Sequence, residues 1–445
     1  MTQDPAGHPA AQALRRLERP LRVGVIGAGA MGRGVVHQCR LTPGLDCVAL
    51  ADLDVGKALA CGDVADRPVA QATSAGELHD TALAGRLGVC ADGDWVAGCE
   101  TVDVLVECSS AVVEAAGFVL TALEAAKTVV LVNAEADLAF GPLFMAVAEA
   151  NGGICTSADG DQHGVIKRLV DDLTLWGFEL VLAGNIKGFL NREADPDNIR
   201  PEADKRNLDY RMCTAYTDGT KLGVEMALLA NGLGLQVDVP GMHGPRAPRA
   251  HDALHLFDLD RLRGLGGVVD YVLGAEPDGG VFAVGYCDHP YQRSMMAYYK
   301  MGPGPYYLFY RPYHLCHVEL AAGLVAAHLD RQPLLQPWAG FRTDVYAWAK
   351  RDLRPKEVLD GPGGFCCYGM VDNCIEPWER GGLPICLAEG TQLKRAVPRD
   401  RPIALSDVEF DPTGPAFDLY ARAHARAGRR RNAPRDCGGV SGRGG

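Results

Sequence analysis

Between Arg22 and Thr156 the chain alternates short, unbroken apolar runs with segments of helical period. Arg22–Ile26, Cys47–Ala51, Thr101–Glu107, Thr128–Val132 and Gly153–Thr156 read as strands, and Met31–Arg40, Val112–Ala126 and Gly141–Asn151 as helices, with a polar helical stretch after Asp52. A strand apolar at successive positions must be covered on both faces. The alternation therefore predicts an α/β fold, a Rossmann-type doubly wound parallel sheet.

Beyond Ser157 the pattern changes. A polar, Gly-rich turn leads into a helix over Val165–Trp176, then a strand over Phe178–Gly184 and a charged connection through Arg206. A capped helix, Tyr216–Asn231, precedes two candidate strands, Val268–Leu273 and Val281–Cys287. This block reads as α+β. Nearer the C-terminus, Lys350–Asp360 is echoed 44 residues later by Lys394–Asp407, each as strand, charged turn and second strand. A small β-rich module of two similar halves follows from that echo.

The expected division is a flexible arm over 1–19, the α/β domain over 20–156 and an α+β domain over 157–345. The last of these is expected to return to the first near 311–330. The β-rich module covers 346–411, and a basic tail over 412–445 carries Arg429-Arg430-Arg431 and is expected to be disordered.

Composition narrows the functions available. At 445 residues the chain should form two or three domains. A formal net charge of −12 argues against nucleic-acid or anionic-membrane partners and leaves a small molecule as the expected ligand. No apolar run reaches the length of a membrane span and the N-terminus has no signal-type apolar region, so a cytoplasmic protein is expected. Fifteen cysteines, an odd number lying largely in apolar stretches, read as reduced core thiols. Metal is not expected: Cys366-Cys367 are adjacent without a CxxC spacing, and His314-x-x-His317 has no third ligand nearby.

The first chemistry is Gly27-Ala-Gly29-Ala30-Met31-Gly32. A lone GxGxxG is weak in a chain with 54 glycines, but here it joins a strand to a helix, and a second strand ends in Asp52, 20 residues past Gly32. That set seats a dinucleotide pyrophosphate on a helix N-terminus and offers Asp52 to the ribose hydroxyls. An anionic Asp52 would repel a 2′-phosphate, so NAD is favoured over NADP. Sheets of this kind bind ligands off the carboxyl ends of their strands, which places Cys108, Ser109 and Asn133 to Asp137 beside the cofactor.

Other candidates are less specific. The turn holding Asp161 and His163 can bind an anionic substrate group at the helix start or simply cap it, with even weight. Lys221 and Glu225 are i,i+4 neighbours, with Asp218 or Thr220 as cap. The Tyr-rich run from Tyr298 to His314 suits an interface or core slightly better than a substrate pocket.

Val132-Asn-Ala-Glu-Ala-Asp137, Gly184-Asn-Ile-Lys-Gly-Phe-Leu-Asn191, Asp218-Gly-Thr-Lys221, Gly241-Met-His-Gly-Pro245 and Leu383-Pro-Ile-Cys-Leu-Ala-Glu389 carry a further reading. With these segments the chain resembles, over about residues 20–411, the homoserine-dehydrogenase-like oxidoreductases with a C-terminal SAF domain. The resemblance implies a nicotinamide-dependent oxidoreductase and a homo-oligomer built through the middle domain. It also implies a catalytic Lys221 oriented by Asp218 or Glu225, with Lys187 as a second candidate. Asn185 and Lys187 stand where such enzymes line their site. Those enzymes follow the strand-end asparagine with a lysine, whereas here Ala134 and Glu135 follow Asn133. Glu135 thereby becomes a candidate base.

Three functions follow: an NAD-dependent dehydrogenase of a small polar hydroxy acid, amino acid or sugar derivative; a bound-NAD enzyme that oxidises transiently to drive epimerisation, lyase or cyclisation chemistry; and a noncatalytic dinucleotide sensor.

Overall fold

The unbroken apolar runs do pair side by side. In the computed structural model, which describes residues 7–206 and 208–431, helix α1 (Pro9–Arg15) precedes a seven-stranded sheet. Its elements are β1 (Leu21–Ile26), α2 (Ala30–Leu41), β2 (Leu45–Ala51), β3 (Val69–Gln71), β4 (Leu87–Cys90), β5 (Val104–Glu107), α3 (Val113–Glu124), β6 (Thr128–Leu131), α4 (Ala134–Asn151) and β7 (Ile154–Ser157). The strand order is β3-β4-β2-β1-β5-β6-β7 and every pairing is parallel. Strand order reverses at β1, between β2 and β5, and the Gly-rich turn leaves β1 at that point.

Two elements differ from the sequence reading. The stretch after Asp52 is not only helical: it supplies β3 and β4, and β4 escapes notice because it is four residues long and contains Gly88. A Cβ at Gly88 would lie 2.7 Å from the Leu78 side chain, so glycine is what lets the neighbouring helix close on the strand. Helix α4 begins at Ala134 rather than Gly141, because the Asn133 side chain accepts a hydrogen bond from the Ala136 N–H and caps it. Pro142 then sits inside the helix at a cost of about 3 kcal/mol. Buried Leu138, Phe140, Leu143 and Phe144 offset that, each contributing roughly 1.5–3 kcal/mol.

The second block is built on β8 (Glu179–Lys187), which carries α5 (Gln162–Leu175) before it and α6 (Tyr210–Asp218) and α7 (Thr220–Leu233) after it. With β9 (Val268–Leu273), β10 (Val281–Tyr286) and β11 (Tyr306–Arg311) it forms a mixed sheet in the order β11-β10-β8-β9. Helices α5 and α7 lie on one face of that sheet, and the short helices Ala253–Leu256 and Leu259–Gly264 contribute to the core on the other. Between β10 and β11, helix α8 (Pro290–Tyr298) buries none of its residues. Helix α9 (Cys316–Leu329) then leaves the sheet and packs on α2.

The C-terminal strands explain the 44-residue echo. Strand β12 (Thr343–Ala349) pairs antiparallel with β13 (Cys367–Asn373), and β14 (Gln392–Leu393) with β15 (Val408–Glu409). Leu353 bridges Val397, its own counterpart, while Trp348 bridges Pro402 and Val358 bridges Gln392. Each of the last two bridges maps onto the other under the 44-residue shift, so the halves are related by a local twofold axis.

Both expected floppy ends are partly ordered. Leu14 of α1 is buried, against Gly44, in the arm expected to be flexible. The tail expected to be disordered forms α10 (Pro415–Arg431), which buries Phe417, Tyr420, Ala423 and Ala427 along one face and packs on α4. Alternating Arg with small residues hid that stripe. The side chains of Arg429, Arg430 and Arg431 and all of 432–445 lie outside the described residues. Among the described residues no helix is long and apolar enough to cross a membrane.

The Tyr420 hydroxyl donates to the buried Asp344 carboxylate, and burial pushes that carboxyl up to about 7. A carboxyl raised by folding contributes stability that is present below its ordinary range and lost as pH rises toward 7. Asp344→Asn should therefore flatten the decline in folding free energy between pH 4 and pH 8. The expected effect is of the order of a few kcal/mol, at about 1.4 kcal/mol per pH unit. Urea titrations at a series of pH values check this; an unaltered decline would remove Asp344 as its source.

Candidate active site

The three glycines of the turn do different work. Gly27 has φ +94°, and a Cβ there would come 2.8 Å from the Cys108 carbonyl carbon. A Cβ at Gly32 would sit 1.8 Å from the Gly27 oxygen, so this glycine is what lets α2 close on the turn. At Gly29 a Cβ would meet nothing within 4 Å. Gly29 also precedes α2 without any side-chain cap, so the first N–H groups, around Ala30 and Met31, face open space. An uncapped 12-residue helix and open room at the middle glycine fit a dinucleotide pyrophosphate.

Asp52 lies at the rim of this seat. One carboxylate oxygen accepts from the Ala28 N–H at 2.7 Å and the other from the Asp54 N–H at 2.9 Å, which ties the end of β2 to the glycine turn. Each oxygen keeps a further lone pair for a hydroxyl. Past β5, the Ser109 N–H donates to the buried Glu107 at 2.9 Å, while the Ser109 hydroxyl is buried without a partner beside half-buried Cys108. Burial lifts Glu107 to about 7.

The second cluster forms where α4, α5, α7 and β8 meet. Glu135, in the first turn of α4, and Lys221, in the first turn of α7, form an ion pair at 3.0 Å and 3.2 Å, with Lys221 buried and Glu135 half-buried. Asp161 caps α5 and is followed by His163; Glu225 lies one turn beyond Lys221; Asn185 and Lys187 sit near the end of β8, which runs three residues past its expected end at Gly184. Both ring nitrogens of His163, Nδ2 of Asn185, Oε2 of Glu225, Oε1 of Gln162 and Nδ1 of His314 are buried without a hydrogen-bond partner. Folded chains satisfy nearly all such atoms, so this concentration makes the cluster the candidate seat for a polar ligand.

Electrostatics separates the members by proton affinity. Burial works against the charge on Lys221, but Glu135 foremost, then Tyr216, Asp161 and Glu225, hold its ammonium above its usual range. Burial lowers Lys187, while burial and the charge of Asp161 push Glu225 up to about 8. His163 is lowered by burial and stays neutral at pH 7, whereas Asp161, although buried, is held below its ordinary value by His163 and Lys221. The site thus presents a fixed cation at Lys221, a fixed anion at Asp161, a Glu225 carboxyl pushed up to about 8, and a Lys187 ammonium weakened by burial.

The structure brings together most of the residues expected to act, and not all. Asp218 does not orient Lys221: it accepts from the Thr220 N–H and pairs with Lys350 of the β-rich module. Glu135 takes that place. Tyr216, Gln162 and His314 were not singled out by the sequence for this site. His314 faces Asp161 and His163 electrostatically, while its spacing partner His317 packs over Gly34 of α2, where a Cβ would come 2.5 Å from the ring. The pair that shares a spacing does not share a site. Among the described residues no group of three His, Cys, Asp or Glu is placed to hold a metal ion.

A family model described as the oxidoreductase DRL catalytic domain matches residues 160–320, the segment that supplies Asp161, His163, Lys187, Lys221, Glu225 and His314. Over that segment the chain is similar to an oxidoreductase catalytic domain. No curated protein sequence matches it. Among solved structures it is similar to a probable dehydrogenase from Thermotoga maritima, at 12% identity and TM-score 0.41, covering 70% of this chain and 90% of that one. It is also similar to a putative myo-inositol dehydrogenase from Sinorhizobium meliloti 1021, at 11% identity and TM-score 0.36, covering 69% and 88%. A 1-deoxy-D-xylulose 5-phosphate reductoisomerase from Zymomonas mobilis in complex with NADPH matches at 13% identity and TM-score 0.36, covering 72% and 84%. At such identities and scores these likenesses bear on neither substrate nor mechanism.

Proposed function

We propose that this protein is an NAD(P)-dependent oxidoreductase, a dehydrogenase of a small polar hydroxy or oxo compound seated on the Lys221 cluster, with NAD preferred over NADP. The observation that carries the reading is the group of unpartnered buried polar atoms around the Glu135–Lys221 pair. A sensor would need a ligand seat, but not a fixed ammonium near a carboxyl pushed up to about 8. The nicotinamide supplies hydride transfer when bound.

The chain's own residues handle charge and protons. The Lys221 ammonium, fixed by Glu135, donates to the substrate oxygen and stabilises alkoxide character on it. Its raised proton affinity makes it a hydrogen-bond donor rather than the resting base. Glu225, with Lys187, is placed to accept the hydroxyl proton, since its affinity near neutrality suits general base work. Neutral His163, Asn185 and Gln162 offer hydrogen bonds to further polar groups of the substrate, and Asp161 disfavours a second anion at that end. The likeness to homoserine dehydrogenases supports an amino-alcohol acid as one member of the substrate class, and the β-rich module with its local twofold is consistent with an SAF-type fold.

The test is direct. Denature the purified protein and look for released NAD(H), then follow NADH absorbance and product mass over hydroxy acids, amino acids and sugar derivatives. Net NADH with a hydroxy substrate is expected. Turnover without net NADH would replace this reading with transient internal oxidation, and no turnover across a panel that contains bound ligand would leave a sensor. NAD preference is tested separately: Asp52→Ser should narrow the NAD/NADP affinity ratio by roughly tenfold, about 1.4 kcal/mol. An unchanged ratio would refute the ribose role.

A further inference from the structure

The β-rich C-terminal module brings its buried Cys386 near the Glu135–Lys221 pair and grips both helices that carry that pair. Strands β12 and β13 pack on α7, while α10 and residues 385–387 pack on α4. Two contacts reach the first turn of α7 itself. The Gly369 N–H of β13 donates to the Thr220 hydroxyl at 2.8 Å. Lys350, at the end of β12, donates to Asp218 at 3.0 Å, to the Ala194 carbonyl at 2.7 Å and to the Gly364 carbonyl at 2.8 Å. Asp218 in turn accepts from the Thr220 N–H at 2.9 Å, and the residue after Thr220 is Lys221.

We propose that Lys350 is a positioning residue for Lys221, and that the β-rich module acts on the active site by fixing the first turn of α7 through Lys350–Asp218 and Gly369–Thr220. This rests on the reading of Lys221 given above. Three observations set it apart from ordinary interdomain packing. All three ammonium protons of Lys350 are used by fixed acceptors, and both it and Asp218 are buried, so the link is stiff and shielded from solvent. It falls at a helix start made of Gly219, with φ +93° and no side-chain cap, so the turn has no local device holding it other than Asp218. A Cβ at Gly369 would lie 3.0 Å from the Thr220 methyl and 2.6 Å from Val345, so β13 approaches the turn as closely as a backbone can. Removing Lys350 leaves a buried, unpaired Asp218 as the cap, and the turn that aims the Lys221 amine at Glu135 loses its anchor.

Hydrogen–deuterium exchange of the full chain tests this without a substrate. In Lys350→Met, peptides covering 214–226 should exchange at least about tenfold faster than in the parent, while peptides of the parallel sheet keep their protection. Thr220→Val, nearly isosteric and removing the Gly369 bond together with the hydroxyl's bond to Asp218 while leaving Lys350–Asp218 in place, should shift the same peptides in the same direction by less, and it serves if Lys350→Met does not fold. With any substrate that turns over, Lys350→Met should lower kcat at least about tenfold with the KM for NAD unchanged, and adding it to Lys221→Met should cost nothing further. Unchanged exchange at 214–226, or faster exchange spread evenly over the chain, would overturn the proposal. Failure of the functional reading looks different: it shows as full turnover by Lys221→Met, whatever the exchange does.

Discussion

Lys221→Met should lower kcat/KM by about 10²- to 10⁴-fold, the range expected when a positioned proton donor or charge stabiliser is removed. Dinucleotide affinity should stay within about twofold, because Lys221 lies in the second block while the pyrophosphate seat is built by β1 and α2. The loss should exceed that of an ordinary buried-lysine replacement, since Met keeps the volume and removes only the charge that Glu135 holds at 3.0 Å. Met also leaves Glu135 as an uncompensated carboxylate at a half-buried position, and some stability will go with it. Lys221→Met combined with Glu135→Gln separates the two effects: stability should recover and activity should not. Steady-state kinetics with thermal melts of all three variants makes the comparison. Full activity in the single variant would end the assignment of Lys221.

The second large effect lies at the glycine turn, where two alanines should fail in opposite ways. Gly29→Ala places a methyl where the protein itself has nothing within 4 Å, so the melting temperature should hold. The methyl would occupy the approach to the uncapped start of α2, and NADH affinity, followed by fluorescence, should fall roughly tenfold or more, at about 1.4 kcal/mol per decade. Gly32→Ala puts a methyl 1.8 Å from the Gly27 oxygen, so strand and helix must part. Folding stability should drop by roughly 1–3 kcal/mol as for an overpacked core, with binding lost as a consequence. Equal melting temperatures for the two variants, or retained NADH affinity in Gly29→Ala, would contradict the roles assigned to these glycines.

The sequence made the parallel sheet legible because burial on both faces leaves a mark in each strand alone: β1, β2, β5, β6 and β7 are apolar at nearly every position. It made the glycine turn legible because steric demands at Gly27 and Gly32 admit no other residue, and those demands are local. It brought Glu135, Asp161, His163, Lys187, Asn185, Lys221 and Glu225 into view as candidates. The echo at Leu353 and Val397 was visible for a related reason, since two halves that pair through a local twofold must present similar strands to each other.

What the sequence could not assign was who faces whom. Asp218 stands three residues before Lys221 and looks like its partner, yet the turn at Gly219 sends the two side chains to opposite sides, one to Lys350 and the other to Glu135. His314 and His317 share a spacing, and α9 sends them to different neighbours. The C-terminal helix was hidden because its apolar stripe is small and interrupted by arginine, and only the complementary face of α4 makes that stripe sufficient. Apolar period and backbone sterics are properties of a short segment, so the chain alone determined the dinucleotide fold and the residue types of the site. Ion pairing and proton affinity depend on distances between segments far apart in sequence, so only the tertiary structure decided that Lys221 is held charged by Glu135 and anchored from behind by Lys350.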